Sequence, residues 1–177
     1  MRQLFNLFAA GILATGVFLV INPSNSNAGE KQFFTGIAGD WHGPGEIVAG
    51  KYKGTKFTCN LKGETSGKNL GMNINGYCRV GMFSQPMSAI IEKSGKHYRG
   101  RFLDGEKGEG MDVTSGRFST SRFVVGLKRK KLDATMVARL DGNRKLNVTI
   151  SVLVQGQLVP VIGMALGKTT RTSQLNP

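Results

Sequence analysis

FTCNLKGETSGKNLGMNINGYCRV, Phe57 to Val80, holds both cysteines of the chain and alternates in polarity along most of its length. Phe57, Cys59 and Leu61 are apolar, and Lys56, Thr58 and Asn60 beside them are polar. Leu70, Met72, Ile74, Cys78 and Val80 share one face, with Asn73, Asn75, Tyr77 and Arg79 on the other. A period of two over this length means strands with one buried face. Placing Cys59 opposite Cys78 in an antiparallel hairpin sets Phe57 against Val80, Leu61 against Gly76 and Gly63 against Ile74. Every pair then lies on the apolar face, and the turn falls at Ser66-Gly67-Lys68-Asn69, which is turn chemistry. A slip of one residue would turn one strand over relative to the other, so this agreement selects the register. Two cysteines with no third read as one disulfide, made in an oxidising compartment. Two thiolates fall short of a closed zinc site, and no metal site is expected.

The same alternation continues outward. Met87, Ala89 and Ile91 can pair with Phe102, Gly100 and Tyr98 around Lys93-Ser94-Gly95-Lys96. Phe123, Val125 and Leu127 can pair with Met136, Ala134 and Leu132 around Lys128-Arg129-Lys130-Lys131. Leu140 and Leu146 flank the turn Asp141-Gly142-Asn143, and Gln155-Gly156 turns into an apolar stretch from Leu158 to Leu166. No helical period and no crossover helix follow the N-terminal leader. The expectation is an all-β, antiparallel meander of about 8–10 strands, closed into a barrel because closure hides sheet edges. Glycines at Gly50, Gly76, Gly100, Gly126 and Gly163 read as strand-interior bends, and those on the apolar face either leave a cavity or make room for Trp41, Phe57 or Phe102.

The chain opens with Arg2, an apolar run from Leu4 to Ile21, and a small, polar segment ending at Ala28. This reads as a secretory signal peptide over 1–28, cleaved after Ala28, with one domain over 29–177. A retained anchor helix is the alternative. The whole chain has a formal net charge of +13. Arg117–Pro177 carries 11 basic and 2 acidic residues, so this half attracts anions. In an exported protein those are anionic lipid, lipopolysaccharide or acidic glycan, and nucleic acid is not an expected partner. The expected location is the periplasm of a Gram-negative bacterium, or outside the cell.

Upstream of the hairpin, GDWHGPGEIVAGKYKG runs from Gly39 to Gly54. Gly39-Asp40-Trp41 is a GxW at the start of the first long strand. Here the chain resembles the calycin-like barrels: lipocalins carry a GxW whose Trp closes one barrel end. Gly39, Trp41, Gly43 and Gly45 also resemble the GxWxGxG opening of nitrobindin-like proteins, which are ten-stranded haem-binding barrels. That resemblance implies a barrel. It does not extend to haem, because the family's axial His lies near the C-terminus and this chain has no His after His97. No cofactor is expected.

The residues offer little to catalysis. There is no GxSxG and only two His to act as a base, so the expectation is not an enzyme. The acidic cluster from Asp104 to Asp112 departs from an EF-hand loop, with Ser115 at its twelfth position. The leading expectation is an exported, non-catalytic binding protein of the envelope. It would hold a small apolar ligand within the barrel, against Trp41, Tyr52, Phe57, Tyr98 and Phe102. Alternatively it would hold an anionic envelope component on Arg99, Arg101, Lys128, Arg129, Lys130 and Lys131. A structural or interaction protein, a protease-inhibitor-like barrel and a small outer-membrane barrel are the other readings. The last stays open because alternation does not say which face is inside.

Overall fold

The computed structural model describes residues 26–67, 69–103 and 110–169. The greater part of the expected signal peptide, the tip residue Lys68 and most of the acidic cluster lie outside them. Ten antiparallel strands follow one short helix: α1 (Ser26–Ile37), β1 (Gly39–Ile47), β2 (Lys56–Thr65), β3 (Gly71–Val80), β4 (Phe83–Ser94), β5 (His97–Leu103), β6 (Met111–Ser119), β7 (Arg122–Arg129), β8 (Leu132–Asp141), β9 (Lys145–Val154) and β10 (Gln157–Thr169). Each strand pairs with its neighbours in sequence, and β1 pairs with β10 to close the barrel. The apolar face turns inward, and the outer wall carries the polar alternates such as His42, Lys62 and Arg139.

The cysteine hairpin has the register that its alternation requires. Cys59 faces Cys78, Leu61 faces Gly76 and Gly63 faces Ile74. Cys59 and Cys78 form the disulfide, with Cα atoms 4.0 Å apart, which fits an oxidising compartment outside the cytoplasm. Among the described residues no helix is long and apolar enough to cross a membrane.

Two other hairpins differ from expectation by two residues. Ala89, not Met87, faces Phe102, and Ile91 faces Gly100. Phe123 faces Ala138, and Val125 faces Met136. Both connections are two-residue turns, at Gly95-Lys96 and Lys130-Lys131, with φ of 61° at Gly95 and 53° at Lys130. Tight hairpin turns need positive φ at such positions. A shift of two preserves the face of every side chain, so the inward set is unchanged.

The helix is a correction to the expected all-strand domain. Phe33, Phe34 and Ile37 lie within one helical turn of each other and point into one end of the barrel, where all three are buried. Each such side chain removed from water contributes about 1.5–3 kcal/mol. Gly39, at φ 126°, turns the chain from helix to strand. The last helical carbonyls lack partners within the helix, and the barrel supplies them. The Trp41 indole N–H donates to the Ile37 carbonyl at 2.7 Å, and the Lys168 ammonium donates to the Gly36 carbonyl at 2.9 Å. Glu30, buried near the helix start, forms an ion pair with Lys93 of β4. The helix therefore seals one end of the barrel.

Candidate functional site: the open end of the barrel

The two ends of the barrel are filled differently. At the closed end, Phe34, Tyr98 and Phe123 stack edge to face or tilted, with ring centroids 4.8–6.0 Å apart. Trp41 is 2% exposed and Tyr98 is 3% exposed. Burial, and then the charge of nearby Glu30, push the Tyr98 phenol above its usual range. At the other end, among the described residues, no helix covers the interior, and a cavity of about 340 Å³ lies between the sheet walls.

Among the described residues its wall is apolar apart from two side chains, Gln85 and Arg129. Phe57 and Phe102 supply aromatic surface, and Met87, Met111 and Met164 supply flexible thioethers. The disulfide belongs to the same wall: Cys78 lines the cavity, and the Cys59 sulfur is 3.9 Å from that of Met164. A break in the β9–β10 register between Pro160 and Ile162 brings both Val161 and Ile162 to the lining. An irregularity of this kind beside a site re-aims side chains that strict alternation would separate.

β1 is shaped by its glycines. Gly43 and Gly45 face inward between Trp41 and Ile47. A methyl group on Gly43 would come within 2.2 Å of the Ala165 carbonyl oxygen, and one on Gly45 within 2.2 Å of the Phe57 ring. Gly43 lets β10 approach, whereas Gly45 makes room for a ring that lines the cavity. At the Gly/Pro cluster β1–β10 pairing is interrupted between His42 and Gly45, where Pro44 has no N–H to donate.

The expected site residues divide accordingly. Phe57 and Phe102 line the cavity. Trp41 and Tyr98 are interior but belong to the closed end, packed with the helix, so they do not reach it. Tyr52 is not interior. It is 61% exposed in the β1–β2 loop, because Gly50 and Gly54 at φ 87° and 88° fold the chain out of the strand after Ile47. Gly50 is thus a loop residue and not a strand bend.

The anion-binding set also separates. Arg99 and Arg101 lie on the outer wall opposite Glu92 and Asp112, and Lys128 is 3.2 Å from Asp133. These charges alternate with carboxylates and form no single basic face. Lys130 and Lys131 form the turn. Arg129 follows Phe123, Val125 and Leu127 on the inner face and joins the cavity lining. Sequence reasoning placed Arg129 in a tip, although the period of two already pointed it inward. His42 bonds Asn60 at 2.9 Å on the outer wall, and His97 is exposed beside the β4–β5 turn. Neither lines the cavity.

Neither a family model nor a curated protein matches the chain. Solved structures do match. The fold is similar to that of Rv2717c from M. tuberculosis. Its crystal structure superposes with a TM-score of 0.60 over 80% of this chain and 98% of that chain, at 12% identity. At that identity the likeness to Rv2717c shows the fold alone, and the chemistry of the site has to be argued from this chain's own side chains.

Proposed function

We propose that the protein is an exported, non-catalytic carrier that holds a small apolar or amphipathic molecule in its open-end cavity. The observation that carries this reading is the cavity wall, apolar except for Gln85 and Arg129. Its volume falls within the range of roughly 300–1,000 Å³ common for small-molecule sites. Three methionines in the wall suit ligands of varied shape, since the thioether chain repacks easily. Arg129 gives the wall one cation, suited to a carboxylate or phosphate head group. The described lining residues include no His, Ser, Asp, Glu or Lys, a composition that suits binding. A polar outer wall suits a barrel that faces water, and the leader-like N-terminus with the disulfide supports export. The GxW opening and ten-strand closure support a place among the calycin-like barrels.

The test is native mass spectrometry of protein purified from a bacterial periplasm, with displacement of an environment-sensitive fluorescent fatty acid. The expected result is a discrete added mass and saturable probe binding. Ala134→Phe, which fills the cavity, should weaken the probe about tenfold or more, and Arg129→Gln should weaken an anionic probe more than a neutral one. A bare mass with no probe binding would overturn the carrier reading and favour the interaction or inhibitor role.

A further inference from the structure

Large apolar side chains are exposed almost entirely at one end of the molecule. Of those the described residues expose, all but Ile90 sit in the turns and strand ends around the cavity mouth. Met82 and Phe83, at the tip of the β3–β4 hairpin, are 96% and 81% exposed, Tyr52 projects from the β1–β2 loop, and Leu158 is exposed at the start of β10. Basic residues stand beside them: Lys51 and Lys53 in the β1–β2 loop, Lys56 at the start of β2, and Lys131 in the β7–β8 turn, all exposed. Basic residues also occur at the closed end, where Arg122 and Arg139 face each other across β7 and β8, but among the described residues no large apolar side chain is exposed beside them. Charge alone therefore does not distinguish the ends. The combination of apolar tips and lysines does.

We infer that the open end docks on the surface of an anionic phospholipid bilayer, with Met82, Phe83 and Tyr52 entering the head-group region and the flanking lysines resting on lipid phosphates. Separate apolar tips backed by Lys suit an interface in which shallow insertion and electrostatic attraction act together. Long Lys side chains can keep their ammonium groups at the phosphates while their stems lie along apolar surface. This inference deepens the carrier reading: the cavity opens toward the surface from which an amphipathic ligand would be taken or to which it would be given.

The experiment is vesicle flotation of the exported protein. It compares neutral phosphatidylcholine vesicles with vesicles that are one-third phosphatidylglycerol. Association with the anionic vesicles is expected, weakening as salt rises. M82D/F83D should lower it about tenfold or more, as should K51E/K53E. R122E/R139E, at the closed end, should leave it within about twofold. Met82 and Phe83 are so exposed that their replacement leaves the core intact, and the fluorescent fatty acid should bind M82D/F83D as it binds the parent. Absence of vesicle binding, binding insensitive to the mouth substitutions, or loss on R122E/R139E would overturn the inference. So would self-association that M82D/F83D abolishes, which would assign the surface to a second copy. Probe binding lost with vesicle binding retained would instead overturn the carrier reading alone.

Discussion

Gly43 and Gly45 look alike in the sequence, yet they meet different kinds of atom. An added methyl group at Gly43 meets the backbone of β10, which has nowhere to go, so Gly43→Ala should lower stability by about 2–3 kcal/mol in urea unfolding. At Gly45 it meets the Phe57 ring, which can swing into the cavity. Gly45→Ala should therefore cost about 1 kcal/mol or less while weakening the fluorescent fatty acid. The alternation left open whether an inward glycine leaves a cavity or makes room for a ring, because that depends on the atom across the barrel. Tyr98 gives a second residue-scale prediction. Its phenol titrates above the usual 10.0 when folded, so above pH 10 the unfolded chain loses this proton first. The stability contributed by Tyr98 is complete below pH 10 and declines as pH rises beyond it. The melting temperature of Tyr98→Phe should fall less between pH 9 and pH 11 than that of the parent, in thermal melts across the two pH values.

Among the elements, the cysteine hairpin was fully legible. Period two, two cysteines and a Gly-Lys-Asn turn agree on one register, and that register forms. Replacing both cysteines by Ala should cost on the order of 3 kcal/mol, measured by denaturant unfolding against the oxidised parent. The hairpins after β4 and β7 were legible in parity but not in offset. The β7–β8 run Lys128-Arg129-Lys130-Lys131 contains no Gly to mark the tight pair, and Lys130 adopts its positive φ without that signal, whereas the β4–β5 run carries the signal at Gly95, inside the longer turn that the sequence suggests. Helix α1 was missed because it is short and adjoins the leader, where apolar residues already had an explanation. Its trace was the spacing of Phe33, Phe34 and Ile37, with Glu30 one turn before. Phe34, 1% exposed, holds the helix against Tyr98 and Phe123. Phe34→Ala should destabilise by about 3–5 kcal/mol in urea unfolding, with faster amide exchange in the helix.

At the scale of the whole molecule, ten strands and short connections sufficed to anticipate a closed barrel. The difference between its ends was not legible. It depends on where the helix docks, on Trp41 and Lys168 holding that helix by its carbonyls, and on which connections bring exposed apolar tips together. Of the side chains chosen for aromaticity, Trp41 and Tyr98 pack at the closed end and Phe57 and Phe102 line the cavity, a division set by where the helix docks.

The pairing of β1 with β10 also sets an order of events during synthesis. β1 can pair with β2 as soon as that strand is made, but its second edge must wait for the last strand of the domain. Until residues near Thr169 emerge, β1 and the most recent strand each present an unpaired edge, the feature that invites pairing between chains. A chain interrupted at Gln155-Gly156 would keep most of its core and still lack closure, so truncation should yield aggregates rather than a smaller soluble barrel. Maturation of this fold thus depends on its final strand.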